Sequence, residues 1–152
     1  MTETGSARDL RDDLSFLLAR ANALSLASGN AALAAHGLKV RSYSVLALAV
    51  GGGRPSQREI AEYLRLDPSQ VVALVDELQR RGAISRESDP NDRRANVVVA
   101  TDEGRALFAD AEKSAREAER EIHAELDDAE RDVLVRLLGR LAFPGSGEPR
   151  AG

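Results

Sequence analysis

Side chains that could act as acids, bases or nucleophiles near neutral pH are few in this sequence. It contains no cysteine and two histidines, His36 and His123. Neither histidine belongs to a nucleophile or metalloprotease motif such as Gly-x-Ser-x-Gly or His-Glu-x-x-His. The lack of cysteine excludes disulfides, thiolate metal sites and thiol redox sensing. We therefore expect a protein that is not an enzyme.

A metal site or a phosphate-binding loop would need a more complete motif than the sequence offers. Glu119 precedes His123 by four residues and Asp127 follows it by four, so one continuous helix would place all three on one face, where zinc or manganese could bind. Acidic helices produce this spacing readily by chance. The triple glycine at 51–53 is not followed by a Lys-Ser/Thr pair, and no strand precedes it. We predict a flexible loop there, no metal and no cofactor.

The net negative charge of the chain argues against binding to nucleic acid, but its distribution weakens that objection. The chain has 152 residues, which predicts one domain, and a net charge of −4. Between positions 54 and 94 eight arginines balance eight acidic residues, so the negative excess lies elsewhere. No apolar run approaches the roughly 20 residues that a membrane span needs. We expect a soluble, cytoplasmic protein without a membrane partner, with weak non-specific affinity for any nucleic acid.

Two helix-start signals surround a short turn in the middle of the chain. Ser56 with Glu59 forms one capping box, and Asp67 with Gln70 forms another, with Pro68 at the first helical position. Apolar residues at helical period follow the second cap and end at a glycine: Val71, Leu74, Val75, Leu78 and Gly82. A short helix, a turn and a longer helix are the arrangement of a helix-turn-helix.

A β-hairpin follows the second of these helices. Residues 83–87 and 95–100 have the composition of strands, and residues 88–94 between them are rich in turn formers and end in Arg93 and Arg94. Beyond the hairpin, Thr101 and Asp127 cap two further helices, the first predicted to reach about Leu126. We predict six helices and one hairpin in total.

A helix-turn-helix followed directly by a hairpin is a winged helix, and here the chain resembles the MarR family of bacterial transcription regulators. The family's wing pattern matches Asp92-Arg93-Arg94, a strand, and then Thr101 with Gly104 three residues later. The segment 36–46 resembles the family's linker before the helix-turn-helix. The resemblance extends from about residue 14 to residue 141.

The resemblance implies a mainly α fold with a small β-hairpin wing, a winged helix-turn-helix with N- and C-terminal dimerisation helices. We expect the dimerisation helices at about 8–36 and 102–141, the DNA-binding head at about 42–100, and disordered tails at 1–7 and 144–152. The expected partners are a second copy of the chain, a pseudo-palindromic double-stranded DNA operator, and a small organic, phenolic or anionic ligand. In this family such regulators are most often repressors that a ligand releases.

Carried over to this sequence, the family's DNA contacts fall on nine residues: Ser56, Gln57, Pro68, Ser69, Gln70, Val72, Ala73, Arg93 and Arg94. Arg94 matches the minor-groove arginine, Asp92 the acid that orients it, and Arg93 is expected to meet phosphate.

The sequence departs from many relatives at two of these positions, where Val72 and Ala73 replace a hydroxyl residue and a polar side chain. Both can only favour a thymine methyl, and Gln70 can pair with adenine, so we expect an A·T-rich half-site core. Asp76 and Glu77 would repel phosphate, and we expect them to point away from DNA or to pair with an arginine.

The ligand pocket of the family lies between the dimerisation helices and the head, which suggests His36, Arg41 and Tyr43 as lining residues. Two alternatives remain open at this point. One is a winged helix that binds protein, and the other is a constitutive DNA-binding regulator without a ligand.

Overall fold

The computed structural model describes residues 9–146. The tail predicted at 1–7 and the part of the C-terminal tail after residue 146 lie outside the described residues. Residues 144–146, predicted to be disordered, form a turn in which the Ser146 hydroxyl donates to the Phe143 carbonyl at 2.7 Å.

Between residues 9 and 146 the fold consists of six α-helices and one two-stranded antiparallel sheet, as the sequence predicted. In chain order they are α1 (Leu14–Leu33), α2 (Val40–Val50), α3 (Gln57–Leu64), α4 (Pro68–Arg80), β1 (Ile84–Asp89), β2 (Asp92–Ala100), α5 (Asp102–Ile122) and α6 (Asp128–Ala142). Two 3₁₀ turns, Leu10–Asp12 and Ala34–His36, flank α1. None of the helices between residues 9 and 146 is long and apolar enough to cross a membrane.

The first helix is shorter than the predicted range 8–36. Asp13 has extended backbone angles, and its carboxylate accepts a hydrogen bond from the Phe16 amide at 2.9 Å, so the helix begins at Leu14. At the other end the chain tightens into a 3₁₀ turn, and Gly37 takes the left-handed conformation with φ 66°. The spacing of apolar residues continues past both ends of the helix, so the sequence pattern predicted a longer helix than the structure contains.

The fifth helix ends at Ile122, four residues before the predicted end at Leu126. His123 is its C-cap, and the Leu126 amide donates to the His123 carbonyl at 3.1 Å, which closes a turn before Asp127 caps α6. The single helical face assumed for Glu119, His123 and Asp127 therefore does not exist. Within residues 9–146 no group of three or more His, Asp or Glu side chains could hold a metal ion.

The hairpin has longer strands and a tighter turn than predicted. Strand β1 ends at Asp89 and strand β2 begins at Asp92. The Asn91 amide donates to the Asp89 carboxylate at 2.9 Å within the turn between them. The segment predicted as a loop at 88–94 is thus largely strand, and Arg93 and Arg94 lie on β2 rather than at the tip.

The core lies where α2, α3 and α4 meet the base of the hairpin and the end of α1. Burial of each large aliphatic side chain there contributes about 1.5–3 kcal/mol to stability. The largest fully buried side chains are Leu33, Val45, Leu46, Ile60, Val71, Val75, Leu78, Ile84 and Val98. Helix α6 contributes no buried residue to this core.

A close backbone contact fixes the start of α5 against the turn after α4. A Cβ atom on Gly104 would lie 1.8 Å from the Ala83 carbonyl oxygen, a distance that no side chain can tolerate. The Thr101 hydroxyl donates to the Gly82 carbonyl at 2.5 Å beside it. The helix-turn-helix and the long helix α5 are therefore joined at one tightly packed point.

Candidate nucleic-acid interface and ligand cavity

The N-terminal end of α4 carries three of the predicted DNA contacts. Both predicted capping boxes form: the Glu59 amide donates to Ser56 Oγ at 3.1 Å, and the Asp67 amide donates to Gln70 Oε1 at 3.2 Å. Pro68, Ser69 and Gln70 are all exposed. These caps place the first turn of α4 at the surface with its side chains in fixed orientations.

Asp67 determines which hydrogen bonds its neighbours can still make. Its carboxylate accepts from the Ser69 hydroxyl at 2.5 Å and from the Ser69 amide at 2.8 Å. The Ser69 hydroxyl bond, followed by the amide bond, lowers the pKa of Asp67 below its usual value. Because its proton is directed to Asp67, the Ser69 hydroxyl faces outward as an acceptor. Gln70 accepts from Asp67 through its oxygen, so its amide group is left to donate.

The next turn of α4 is apolar on its outer side. Val71 and Val75 are fully buried, whereas Val72 is 40% exposed and Ala73 is exposed. These two exposed side chains end in methyl groups, which can make apolar contacts with the methyl group of thymine.

Arg86 joins α3, α4 and the wing, and sequence analysis did not identify it. Its guanidinium donates to Gln57 Oε1 at 2.9 Å and to Asp76 Oδ1 at 2.6 Å, and also to Gln79 Oε1. The side chain is 22% exposed. Asp76 is thereby paired with an arginine, as expected, and Gln57 keeps its amide group free to donate. Sequence spacing does not reveal this role, because the partners of Arg86 lie 7 to 29 residues away and meet it only when the chain folds.

The wing is attached to the start of α3. The Val98 amide donates to the Pro55 carbonyl at 2.8 Å, and Ser56 forms a bridge with Val97. Arg54, in the loop before α3, pairs with Glu87 of β1 at 2.7 Å. These contacts bring Ser56 and Gln57 next to the hairpin.

Asp92 acts on the backbone of Arg94 and not on its guanidinium. Its carboxylate accepts from the Arg94 amide at 3.0 Å. Arg93 and Arg94 are both exposed, and within residues 9–146 neither forms an ion pair. Two arginines with free guanidinium groups therefore project from the wing.

A cavity of about 220 Å³ lies between α1, α2 and α5. Tyr43 forms part of its wall and stacks on Phe108, with ring centroids 5.3 Å apart. Burial, followed by the negative charge of Glu112, raises the pKa of the Tyr43 hydroxyl above its usual value. Of the three suggested ligand contacts, Tyr43 alone is among the residues that line this cavity.

His36 and Arg41 lie elsewhere. His36 Nε2 forms a hydrogen bond of 2.8 Å with the Ser114 hydroxyl of α5, and Arg41 is exposed on α2. Arg81, at the end of α4, donates to the carbonyls of Gly37 at 2.8 Å and His36 at 2.7 Å. His36 therefore connects the end of α4 to α5.

The polar lining of the cavity comes from residues that sequence analysis did not assign to it: Asn22, Ser25, Ser28, Glu119 and His123. The spacing of Glu119 and His123 was visible in the sequence, but their meeting with α1 is a long-range contact. A second opening of about 470 Å³ between α1 and α6 shares Asn22, Ser25, Glu119 and His123 with the first. The two spaces thus adjoin through these four side chains.

Known proteins share this architecture. A family model described as MarR family matches residues 36–95. The structure of a MarR-family transcriptional regulator from Rhodococcus sp. RHA1 is 41% identical, with a TM-score of 0.86, and the alignment covers 91% of this chain and 98% of that one. The chain belongs to the MarR family.

Two further solved structures resemble this MarR-family chain. CouR from Rhodococcus jostii RHA1, bound to p-coumaroyl-CoA, is 41% identical with a TM-score of 0.83, over 93% of this chain and 100% of CouR. The transcriptional repressor CouR bound to a 23-mer DNA duplex is 32% identical with a TM-score of 0.80, over 88% of this chain and 95% of that one.

A curated relative is the putative transcriptional regulatory protein for the hcr operon of Thauera aromatica. It is 32% identical over 107 residues, which are 70% of this chain and 64% of the relative. The MarR-family chain spans less than two thirds of the length of the curated relatives that it matches. MarR-family transcriptional regulators are DNA-binding proteins and not enzymes, so the prediction of a non-enzymatic regulator is confirmed.

Proposed function

We propose that this protein is a cytoplasmic, homodimeric repressor that binds a pseudo-palindromic DNA operator and is released by a small organic ligand. The observation that carries the DNA-binding part is the Arg86 junction. It joins the exposed start of α3, the recognition helix α4 and the wing into one head, with Arg93 and Arg94 unpaired within the described residues. The DNA complex of CouR supports the same role.

In the proposed complex α4 lies in the major groove and the wing lies against the minor groove. Ser69 accepts from an exocyclic amine of adenine or cytosine, and Gln70 donates to a purine N7. Val72 and Ala73 contact thymine methyl groups. Arg94 enters the minor groove, Arg93 binds phosphate, and Ser56, Gln57 and Pro68 contact the flanking backbone.

Selection of bound duplexes from a random pool tests this assignment. We expect a pseudo-palindrome with half-site centres about 10 bp apart and an A·T-rich core. Arg94→Ala should weaken binding with loss of A·T preference beside the half-site. Arg93→Ala should weaken binding to all sequences equally and lower the salt slope by about one phosphate contact. A G·C-rich core, or two wing variants that bind like the wild type, would contradict these contacts.

The homodimer is supported by apolar side chains that the single chain leaves uncovered on α6 and on α1 between Leu14 and Leu24. They are Leu14, Leu17, Leu18, Leu24, Val133, Leu134, Val135, Leu137, Leu138 and Leu141, each at least 37% exposed. Exposed apolar surface of this extent is typical of an interface.

Sedimentation at micromolar concentration tests the assembly. We expect a dimer, and Leu137→Glu should give a folded monomer with much weaker operator binding, because a buried charge without a partner opposes association. Gly53→Glu, in the exposed loop before α3, is the matched control and should remain dimeric. A wild-type monomer that binds its operator fully would refute the dimer.

For the ligand we propose a phenolic aromatic acid carried as its coenzyme A thioester. CouR, 41% identical, is bound to p-coumaroyl-CoA. The cavity of about 220 Å³ accommodates an aromatic acyl group. The carboxylate of Glu119 would repel the carboxylate of a free acid but can accept a hydrogen bond from a phenol, so an acyl group whose carboxyl is bound as a neutral thioester fits better beside it.

A comparison of p-coumaroyl-CoA with free p-coumarate tests the ligand class. We expect the thioester to raise Tm and to release the operator at lower concentration than the acid does, since a ligand shifts the DNA-competent state only by its differential affinity. In Glu119→Gln, the two compounds should differ less in the Tm increase that they cause and in the concentration that releases the operator. If neither compound changes Tm or operator affinity, the constitutive alternative is favoured over ligand release.

A further inference from the structure

Arg65, in the turn between α3 and α4, has a backbone conformation that suits glycine. Its φ and ψ are 57° and 42°, in the left-handed region. The turn requires this conformation, because the Leu66 amide donates to the Ala61 carbonyl at 3.0 Å as the chain leaves α3. Glycine adopts it without steric cost, whereas arginine does not. Backbone strain of this kind recurs where a side chain serves a function.

The Arg65 side chain has no visible role in the fold. It is exposed, and among residues 9–146 no carboxylate lies within ion-pair distance of it. Arg54 is the other non-glycine residue with positive φ among the described residues, at 51°. In contrast to Arg65, it pairs with Glu87 at 2.7 Å. Folding therefore accounts for the guanidinium of Arg54 but not for that of Arg65.

The surroundings of Arg65 are suited to an anion. A concave surface beside the start of α4 is lined by Arg58, Ala61, Glu62, Arg65, Leu66 and Pro68. Its one acid, Glu62, is already paired with Arg58 at 3.2 Å. Pro68 is the first residue of α4, so the concavity adjoins the end of α4 that is proposed to enter the major groove.

We propose that Arg65 binds a DNA backbone phosphate beside the half-site, with its planar guanidinium donating to the phosphate oxygens. This contact rests on the proposed DNA-binding function and adds a tenth residue to the nine assigned to it. It positions the start of α4 on the backbone and does not select bases, because phosphates carry no direct sequence information.

Arg65→Gly in the full-length chain separates binding from stability, because the two should change in opposite directions. Relief of the left-handed arginine should raise Tm by about 2 °C. Loss of the phosphate contact should weaken binding by about tenfold, for the duplex that the wild type selects and for an unrelated duplex. The slope of log K against log salt should fall by about 0.9 for each protomer bound.

Three further variants complete the test. Arg120→Ala removes an exposed arginine from the far end of α5, outside the head, and should retain wild-type affinity and salt slope. Arg65→Lys keeps the charge and should retain the slope. Arg65→Asn should reproduce the loss seen with glycine, since asparagine tolerates the left-handed region.

Two results would overturn the proposal while DNA binding itself stands. One is an Arg65→Gly protein with the affinity and slope of the wild type. The other is an equal loss in Arg120→Ala, which would indicate a general effect of charge. If the wild-type chain binds no duplex at all, the proposed function itself fails, and the phosphate contact with it.

Discussion

At the scale of single residues, one carboxylate determines which hydrogen bonds the first turn of α4, the proposed recognition helix, can still form with DNA. The Asp67 carboxylate accepts a hydrogen bond from the Ser69 hydroxyl, and the Asp67 amide donates one to the Gln70 side-chain oxygen. The spacing of the cap could be predicted from sequence, because it depends on residues within four positions of one another. The direction of the hydrogen bonds could not, since Ser69 can donate or accept until Asp67 is placed.

The acid dependence of stability should reveal this cap. Because the folded-state pKa of Asp67 is lowered, its stabilising contribution is complete above its unfolded value of about 3.9 and is lost as the pH falls through the lower folded value. Urea unfolding of the wild type and Asp67→Asn should therefore differ most near neutral pH, and the difference should shrink toward about pH 3. A difference that is constant with pH would show that the charge of Asp67 does not contribute.

At the scale of elements, capping residues predicted four helix starts correctly, whereas the start of α1 and the end of α5 were predicted poorly. The caps at Ser56, Asp67, Thr101 and Asp127 all form where expected. The early end of α5 and the extension of β2 through Arg94 were missed, because both depend on how neighbouring turns close. The Arg86 junction and the cavity were missed for the same kind of reason, since they bring together residues that are far apart in sequence.

Gly104 should be the helix position least tolerant of a side chain. Its Cβ would meet the Ala83 carbonyl oxygen at 1.8 Å, and the obstacle is backbone rather than a flexible side chain. We expect Gly104→Ala to destabilise the fold by at least about 3 kcal/mol, with a fall in Tm of about 10 °C. Gly53→Ala has open space around the new atom and should change stability by less than about 0.5 kcal/mol. Equal melting of the two variants would contradict the close contact.

At the scale of the whole molecule, a chain of hydrogen bonds connects the head to the helix that lines the cavity. Arg81 at the end of α4 binds the carbonyls of His36 and Gly37, and the His36 ring binds Ser114 of α5. Ser114 directly precedes Ala115, which lines the cavity. A ligand that shifts α5 therefore acts on the end of the recognition helix.

Ser114→Ala should weaken this coupling without removing either binding site. We expect operator affinity without ligand to stay within about twofold of the wild type, and the factor by which p-coumaroyl-CoA lowers that affinity to fall about fivefold. Lys113→Ala, on the exposed side of α5, is the matched control. Unchanged release by the ligand in Ser114→Ala would show that the signal takes another route.

The contact between Gly104 and Ala83 lies between two helical arms of similar length. Glu119 lies fifteen residues along α5 from Gly104, which is about 22 Å, and α4 extends from Arg80 back to Pro68, which is about 18 Å. If the two helices rotate together about this point, a displacement of about 1 Å at the cavity reappears as about 1 Å at the start of α4. A hydrogen bond to a base stretched by that amount is broken. In the proposed switch, the ligand therefore needs no large rearrangement to change how the protein binds its operator.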